Sequence, residues 1–328
     1  DSGRTEGPDS ITNSEYFERW FREATSLIET KREGIFSIDL RLRPHGSAGP
    51  VAVALEQFVD YYSPAGPAHS FERLALVRMR GVAGDPVFCR RVERLRDDLI
   101  YTRRAIDLDS LKGLREKQLG EKASGGGFNA KFSAGGLVDL EYTVQILQIV
   151  HGEAHEGLRT PRIHEALRGL GETGAIEKDE AERLIHAYRF FRRLINALRM
   201  LRGNASDLLL PPFDSIEFRH VARRAGYVSG ETMTAVEKLR LDVETWSATV
   251  RVFVERQLGR RIGKDVPVAG IADVVLSPEE DPSAFAEFLR RSSLEDHKRA
   301  FFAIRSLCGD GARREAAVGV LVLAWDLI

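Results

Sequence analysis

Between Glu177 and Arg202, apolar residues recur at helical spacing: Leu184, Ile185, Tyr188, Phe191, Leu194, Ile195, Leu198 and Leu201 share one stripe. A stripe of that length must be covered by other helices. Val236 to Leu258 offers a matching one in Leu239, Val243, Trp246, Val250, Phe253 and Val254. Leu137 to Val150 is apolar nearly all round, which predicts a buried helix. Long helices joined by short loops predict an antiparallel bundle, and from Pro86 onward the chain reads as almost entirely helical.

The first part of the chain reads differently. Thr12 and Glu15 are spaced for a capping box, and residues 12–30 follow as an amphipathic helix with Tyr16, Phe17, Trp20, Phe21, Ala24, Leu27 and Ile28 on one stripe. Residues 35–43 alternate. Phe36, Ile38, Leu40 and Leu42 would point one way, and Ser37, Asp39, Arg41 and Arg43 the other, as in a strand. Pro44 ends the run, and Gly46, Ser47 and Gly49 make a tight loop. Val51 to Tyr62 opens a second helix, broken at Pro64, Gly66 and Pro67, and Phe71 to Val82 fits helix or strand. Helix–strand–helix at this spacing predicts the C-terminal part of an α/β domain. The fold expected overall is α+β, mostly α. Residues 1–87 would form the α/β part and 88–262 the helical bundle. The Pro- and Gly-containing stretch 263–282 would be a linker, and 283–328 the start of a further helical region. The chain opens at Asp1 without Met and stops at Ile328 inside an apolar run, which reads as an internal piece of a larger protein.

Composition narrows the function classes. Of 328 residues, 30% are charged, and the formal net charge is −1, so no overall field draws the chain to nucleic acid or an acidic membrane. No apolar run approaches the roughly 18 residues that a membrane span needs. Cys89 and Cys308 lie far apart and match no metal or disulfide spacing, which fits a reducing, cytoplasmic setting.

The side chains on the predicted strand suit phosphoryl chemistry. Asp39 is a hard oxygen ligand for a divalent metal. Arg41 and Arg43 on the same face could hold phosphate oxygens bidentately, or one of them could pair with Asp39. The amides of Gly46, Ser47, Ala48 and Gly49 could approach a phosphate, or form a turn that needs positive φ. Glu141 in its apolar helix requires a partner, with Lys131 or an arginine as candidate. Asp139 and Glu141 are two apart and fall on opposite sides of a helix. Gly135 and Gly136 precede that helix, where an anion could bind, but a structural brace between the bundle and the preceding domain fits better. Arg183, Arg189, Arg192, Arg193, Arg199 and Arg202 form either a solvated face or a surface for an acidic partner protein.

Three blocks together resemble one family. They are Asp39-Leu-Arg-Leu-Arg-Pro44 with Gly46-Ser-Ala-Gly49; Phe71-Glu-Arg-Leu-Ala-Leu-Val-Arg-Met-Arg80 with Gly84-Asp-Pro86; and Asn129-Ala-Lys-Phe-Ser-Ala-Gly-Gly-Leu-Val-Asp-Leu-Glu-Tyr142. In this order and spacing they resemble the bifunctional glutamine synthetase adenylyltransferase / adenylyl-removing enzymes, over roughly residues 1–260. The resemblance implies a nucleotidyltransferase domain followed by a bundle. It makes Asp39 the third metal-binding acid, with a Gly-Ser turn and an Asp-x-Asp pair upstream of residue 1. It implies nucleotide or phosphate contacts for Arg41, Arg43, Gly46, Ser47 and Arg80, and a bracing role for Lys131, Gly135, Gly136, Asp139 and Glu141. It further implies Mg²⁺, ATP or ADP and phosphate, with glutamine synthetase and a PII-type signalling protein as partners. Gly49-Pro50, Asp60-Tyr61-Tyr62 and Tyr188-Arg-Phe-Phe-Arg-Arg-Leu194 look more like the first, deadenylylating copy. Lacking the upstream acids, the 328 residues alone are expected to be inactive. A docking fragment and a PII uridylyltransferase-like enzyme are the competing readings.

Overall fold

A computed structural model describes residues 3–29, 38–102, 106–122, 127–204, 206–260, 267–309 and 312–325. These residues are mainly helical. They carry only two isolated β-bridges, Arg4 with Thr12 and Asn129 with Leu209. The chain divides into two compact units, Asp1–Glu116 with Val144–Ala175 and Gly203–Ala205, and Lys117–Thr143 with Ile176–Arg202 and Ser206–Ile328.

In the first unit, α1 (Asn13–Glu29) begins at the expected capping box. Glu15 N donates to Thr12 Oγ1 at 3.2 Å, and Thr12 N donates back to Glu15 Oε2 at 3.0 Å. Its aromatic stripe differs from expectation, because Tyr16, Phe17 and Trp20 remain exposed. The next helices are α2 (Leu55–Tyr62), α3 (Ser70–Ala75) and α4 (Pro86–Ile100). The stretch that fitted helix or strand is thus helical at its start, and a single 3₁₀ turn, Leu76–Arg78, follows. Asp85 caps α4 by accepting from Phe88 N at 2.6 Å.

The expected strand over 35–43 lies partly outside the described residues, and 38–43 are not extended into a ladder. The cause is local. The Asp39 carboxylate turns back on its own backbone and accepts the Arg41 amide at 3.0 Å, a turn that competes with strand geometry.

Helix α5 (Leu108–Lys122) and helix α6 (Leu137–Gly152) follow, then α7 (Ile163–Glu172). Most of α6 is buried, as its composition requires. In the first unit, Gln148 on α6 donates to the carbonyls of Leu158 and Thr160, at 2.6 and 2.8 Å. Gly152 ends α6 against the Tyr101 ring, where a Cβ would lie 2.5 Å from a ring carbon.

The second unit is built on α8 (Lys178–Arg202), α9 (Ile216–Arg224) and α10 (Ala235–Leu258), which pack on one another. Leu184, Phe191, Leu194 and Leu198 of α8 are buried, as are Phe218 and Val221 of α9 and Leu239, Val243, Val250 and Phe253 of α10. Thr234 and Glu237 form a capping box at the start of α10, and Gly259 ends it with φ 70°. A further layer comprises α11 (Ile271–Leu276), α12 (Ala286–Arg291), α13 (His297–Cys308) and α14 (Ala312–Ala324). Phe285, Leu289, Phe301, Ile304, Val318 and Val322 form one apolar core with Ala248 and Val252 of α10. Residues 271–275, within the stretch read as a linker, are buried in that core.

Candidate functional site

The loop after residue 37 is organised by two arginines. Asp39 and Arg41 face each other in a bidentate pair: Arg41 Nε lies 2.8 Å from Oδ1, and a terminal nitrogen 2.6 Å from Oδ2. Both side chains are exposed, so screening by water keeps the pair weak. The expected alternative, in which one arginine pairs with Asp39, is the arrangement present. Arg43 turns inward and donates to the carbonyls of Leu40, Ser47 and Gly49. Its guanidinium therefore clamps the loop. Gly46 takes φ 56° and His45 φ 63°, so the Gly46–Ala48 turn depends on left-handed backbone just where glycine was expected to be needed. A Cβ at Gly49 would meet Pro44 O at 1.9 Å. Ser47 is exposed, and so is Arg80, which follows the 3₁₀ turn of the second block.

Behind this loop the first unit is stiffened by groups that sequence reasoning left out or placed elsewhere. Glu72, at the edge of burial, accepts from Tyr61 Oη at 2.9 Å and from His69 N at 2.9 Å. Arg73 donates to the carbonyls of Tyr62, Ser63, Gly66 and Ala68, wrapping the Pro64–Pro67 turn around one guanidinium. Arg96, buried on α4, donates to Met79 O, and Glu93 accepts from Gly81 N at 2.8 Å. The Arg96 and Glu93 contacts hold the end of the second block against α4. Two adjacent charges, Glu72 and Arg73, set between the apolar Phe71 and Leu74, were the available signal.

The third block runs from the loop before α6 into its first turns and organises the second unit. Asn129 Oδ1 accepts from Lys131 N and Phe132 N, each at 3.0 Å, and Ser133 Oγ accepts from Asn129 N. The amides of Gly136, Leu137 and Val138 donate to Ser133, Ala130 and Lys131 carbonyls. Gly135 N donates to Asp139 Oδ2 at 2.7 Å. The amides that could have gripped an anion at this helix start are thus already bonded. Gly135, with φ 78°, leaves no room for a Cβ, which would sit 2.3 Å from Ser247 O. Asp139 is buried, and its Oδ1 lies 3.9 Å from the Arg260 guanidinium. Glu141, expected to be enclosed, is half-buried, as is Lys131.

A fully buried ion pair was not foreseen. Arg251 Nε donates to Asp273 Oδ1 at 2.7 Å, and a terminal nitrogen of Arg251 donates to Ala134 O at 3.1 Å. Asp273 also accepts from Ala269 N and Gly270 N. A charge set in each of two apolar runs, Val250 to Val254 and Ile271 to Val275, was the missed clue.

Asp39 offers a metal one carboxylate, and Arg41 occupies both of its oxygens. Among the described residues no group of three His, Cys, Asp or Glu could hold a metal ion, so the residues present do not complete a Mg²⁺ site. No described helix is long and apolar enough to cross a membrane.

A family model described as glutamate-ammonia ligase adenylyltransferase matches residues 1–95, and one described as GlnD PII-uridylyltransferase matches 110–258. The bifunctional glutamine synthetase adenylyltransferase/adenylyl-removing enzyme of Stenotrophomonas maltophilia is 33% identical over 251 residues, 74% of this chain and 26% of the relative. Its counterpart in Xanthomonas axonopodis pv. citri is 31% identical over 319 residues, 91% of this chain and 33% of the relative. That of Streptomyces coelicolor is 33% identical over 209 residues. The chain belongs to the glutamine synthetase adenylyltransferase family. It spans about a quarter to a third of the length of the first two relatives.

Proposed function

We propose that this chain is part of a nucleotidyltransferase-family enzyme that regulates glutamine synthetase, and that it serves the removal of AMP from an adenylylated tyrosine by phosphorolysis. In that reaction an oxygen of inorganic phosphate bonds to the phosphorus of the AMP group. The bond from that phosphorus to the tyrosyl oxygen breaks, the oxygen takes up a proton, and ADP leaves. The observation that carries the reading is the Asp39–Pro44 block, which lies on an exposed, internally clamped loop within the segment matched by the adenylyltransferase model. Asp39 is the acid we assign to the chemistry, and Arg41 and Arg80, both exposed, the phosphate contacts. Arg43 supports them by holding Ser47 and Gly49, on either side of the Gly46–Ala48 turn, in place. Mg²⁺ belongs to this proposal as a cofactor, but with no group of three ligands for it among the described residues no step is assigned to it.

A second reading is a non-catalytic module that docks glutamine synthetase or a PII-type protein. The occupation of Asp39 by Arg41 favours it. A third, a PII uridylyltransferase-like enzyme, is favoured by the match over 110–258. The Arg41-Leu-Arg-Pro44 block and the match over 1–95 weigh against the third.

One assay separates them. The product of the gene that encodes this chain is mixed with adenylylated glutamine synthetase, phosphate and Mg²⁺. Release of ADP that is lost in Asp39→Asn supports the proposal. Binding of glutamine synthetase without turnover supports the docking module, and transfer of UMP to a PII-type protein supports the third reading.

A further inference from the structure

The loop that carries Asp39 rests on a support within the first unit. His45 takes φ 63° and ψ 16°. Apart from Ser293, it is the only non-glycine residue at positive φ among the described residues. That region is sparsely populated for a residue with a side chain, and it persists where the surroundings impose it. Here the neighbour is Tyr61. Its ring, buried on α2, meets the His45 imidazole edge-on, 4.6 Å between centroids and 67° between planes. Edge-to-face is a favoured arrangement of two rings. Tyr61 is itself fixed at its far end. Its hydroxyl donates to Glu72 Oε1 at 2.9 Å, and Glu72 Oε2 accepts from His69 N at 2.9 Å. Both oxygens of that carboxylate are thus engaged, so the hydroxyl meets an acceptor that is held in place.

The contacts continue from His45 toward Asp39. Gly46 N, Ala48 N and Gly49 N close the turn on the carbonyls of Arg43, His45 and Gly46. Arg43 then grips Ser47 O and Gly49 O on one side and, on the other, Leu40 O, which lies between Asp39 and Arg41 in the chain. We propose, on the reading above that Asp39 and Arg41 serve phosphorolysis, that Tyr61 is a positioning residue for them. Its ring seats His45, Glu72 sets where that ring stands, and the turn and the Arg43 clamp carry the position to Asp39 and Arg41. A misplacement of about 1 Å at reacting groups can cost on the order of a hundredfold in rate. A ring behind the loop can therefore govern turnover without touching substrate.

The test has one readout free of the chemistry and one within it. In the 328-residue protein, NMR measures solvent exchange of the Gly46, Ala48 and Gly49 amides. Tyr61→Leu and His45→Ala each remove the ring contact and should speed that exchange by roughly threefold to tenfold. His45 is exposed, so its variant keeps the fold and carries the test should Tyr61→Leu fail to fold. Tyr62→Phe, which removes a neighbouring buried hydroxyl from α2, should leave the rates unchanged. In the gene product that carries this chain, Tyr61→Phe and His45→Ala should lower kcat for ADP release by roughly tenfold or more, with KM for adenylylated glutamine synthetase within about twofold and the melting temperature of His45→Ala near wild type. Exchange at wild-type rates in both Tyr61→Leu and His45→Ala would overturn the proposal. So would a loosened loop with unchanged kcat. A wild-type gene product that releases no ADP would instead overturn the assigned reaction, and the exchange rates would still decide whether Tyr61 seats the loop.

Discussion

Arg251 and Asp273 meet at 2.7 Å with side chains only 4% and 0% exposed, joining α10 to α11 through the interior. The same arginine reaches Ala134 O, next to Gly135, and Asp273 also holds two backbone amides. One buried ion pair therefore ties the third block, α10 and α11 together inside the second unit.

Removing one partner of such a pair strands a buried charge, which costs about 3–5 kcal/mol. Arg251→Met is expected to lower the stability of the second unit by that order. Arg251→Met with Asp273→Leu should recover part of the loss, because no unpaired charge remains. Urea unfolding of the single and double variants, followed by circular dichroism, measures both. A single variant as stable as wild type would show that the pair is solvated.

Tyr101 gives a pH-dependent prediction. Its hydroxyl is buried without a hydrogen-bond partner among the described residues, and burial pushes its pKa up to about 12. The folded value exceeds the ordinary value of about 10. The stabilisation is therefore complete below pH 10 and is lost as pH rises toward 12, at up to about 1.4 kcal/mol per unit. Tyr101→Phe removes both the unsatisfied hydroxyl and this loss. It should be about 1 kcal/mol more stable at pH 7, with a flatter stability profile above pH 10. Thermal unfolding across that range compares the two proteins.

Arg73 is expected to be irreplaceable even by lysine. Its fork meets four carbonyls of the 62–68 turn, and an ammonium cannot reproduce that geometry. Arg73→Lys should destabilise the first unit by about 1.5–3 kcal/mol. Proteolytic cleavage near Pro64–Pro67 should accelerate in step. Unchanged protection would mean that the turn holds its shape through Pro64 and Pro67 alone.

Asp39→Asn should separate stability from activity. The residue is exposed and its ion pair with Arg41 lies on the surface, so melting temperature is expected to stay near the wild-type value. In the gene product that carries this chain, phosphorolytic turnover should fall by about a hundredfold or more, because the variant loses the charge assigned to the chemistry. ADP release and a melting curve on the same preparation decide it. Retained activity would make Asp39 a turn-former only.

Much of the helical architecture was legible in sequence. The stripes of α8 and α10 and the all-apolar character of α6 are local patterns with a fixed period, so a single chain segment displays them. The capping box at Thr12–Glu15 and the need for glycine around residue 46 were legible for the same reason. Burial of the α1 stripe was not, because Tyr16, Phe17 and Trp20 have the right period and yet remain exposed. Over the described part of the expected strand, residues 38–43, no ladder forms, and alternation could not reveal that the Asp39 carboxylate would bond the amide two residues on. The candidate site divides along the same line. Asp39, Arg41 and Arg43 were found as residues, but sequence could not distribute their roles, since a guanidinium serves a phosphate, a carboxylate or three carbonyls equally well. Only the tertiary structure gave Arg41 to Asp39 and Arg43 to the loop. It alone paired Arg251 with Asp273, twenty-two positions apart in sequence. Sequence thus determined the helices, their caps and the family blocks, because these depend on short-range chemistry. Which charges were buried together was left to the fold, because that depends on how α10, α11 and the loop before α6 close on the same interior.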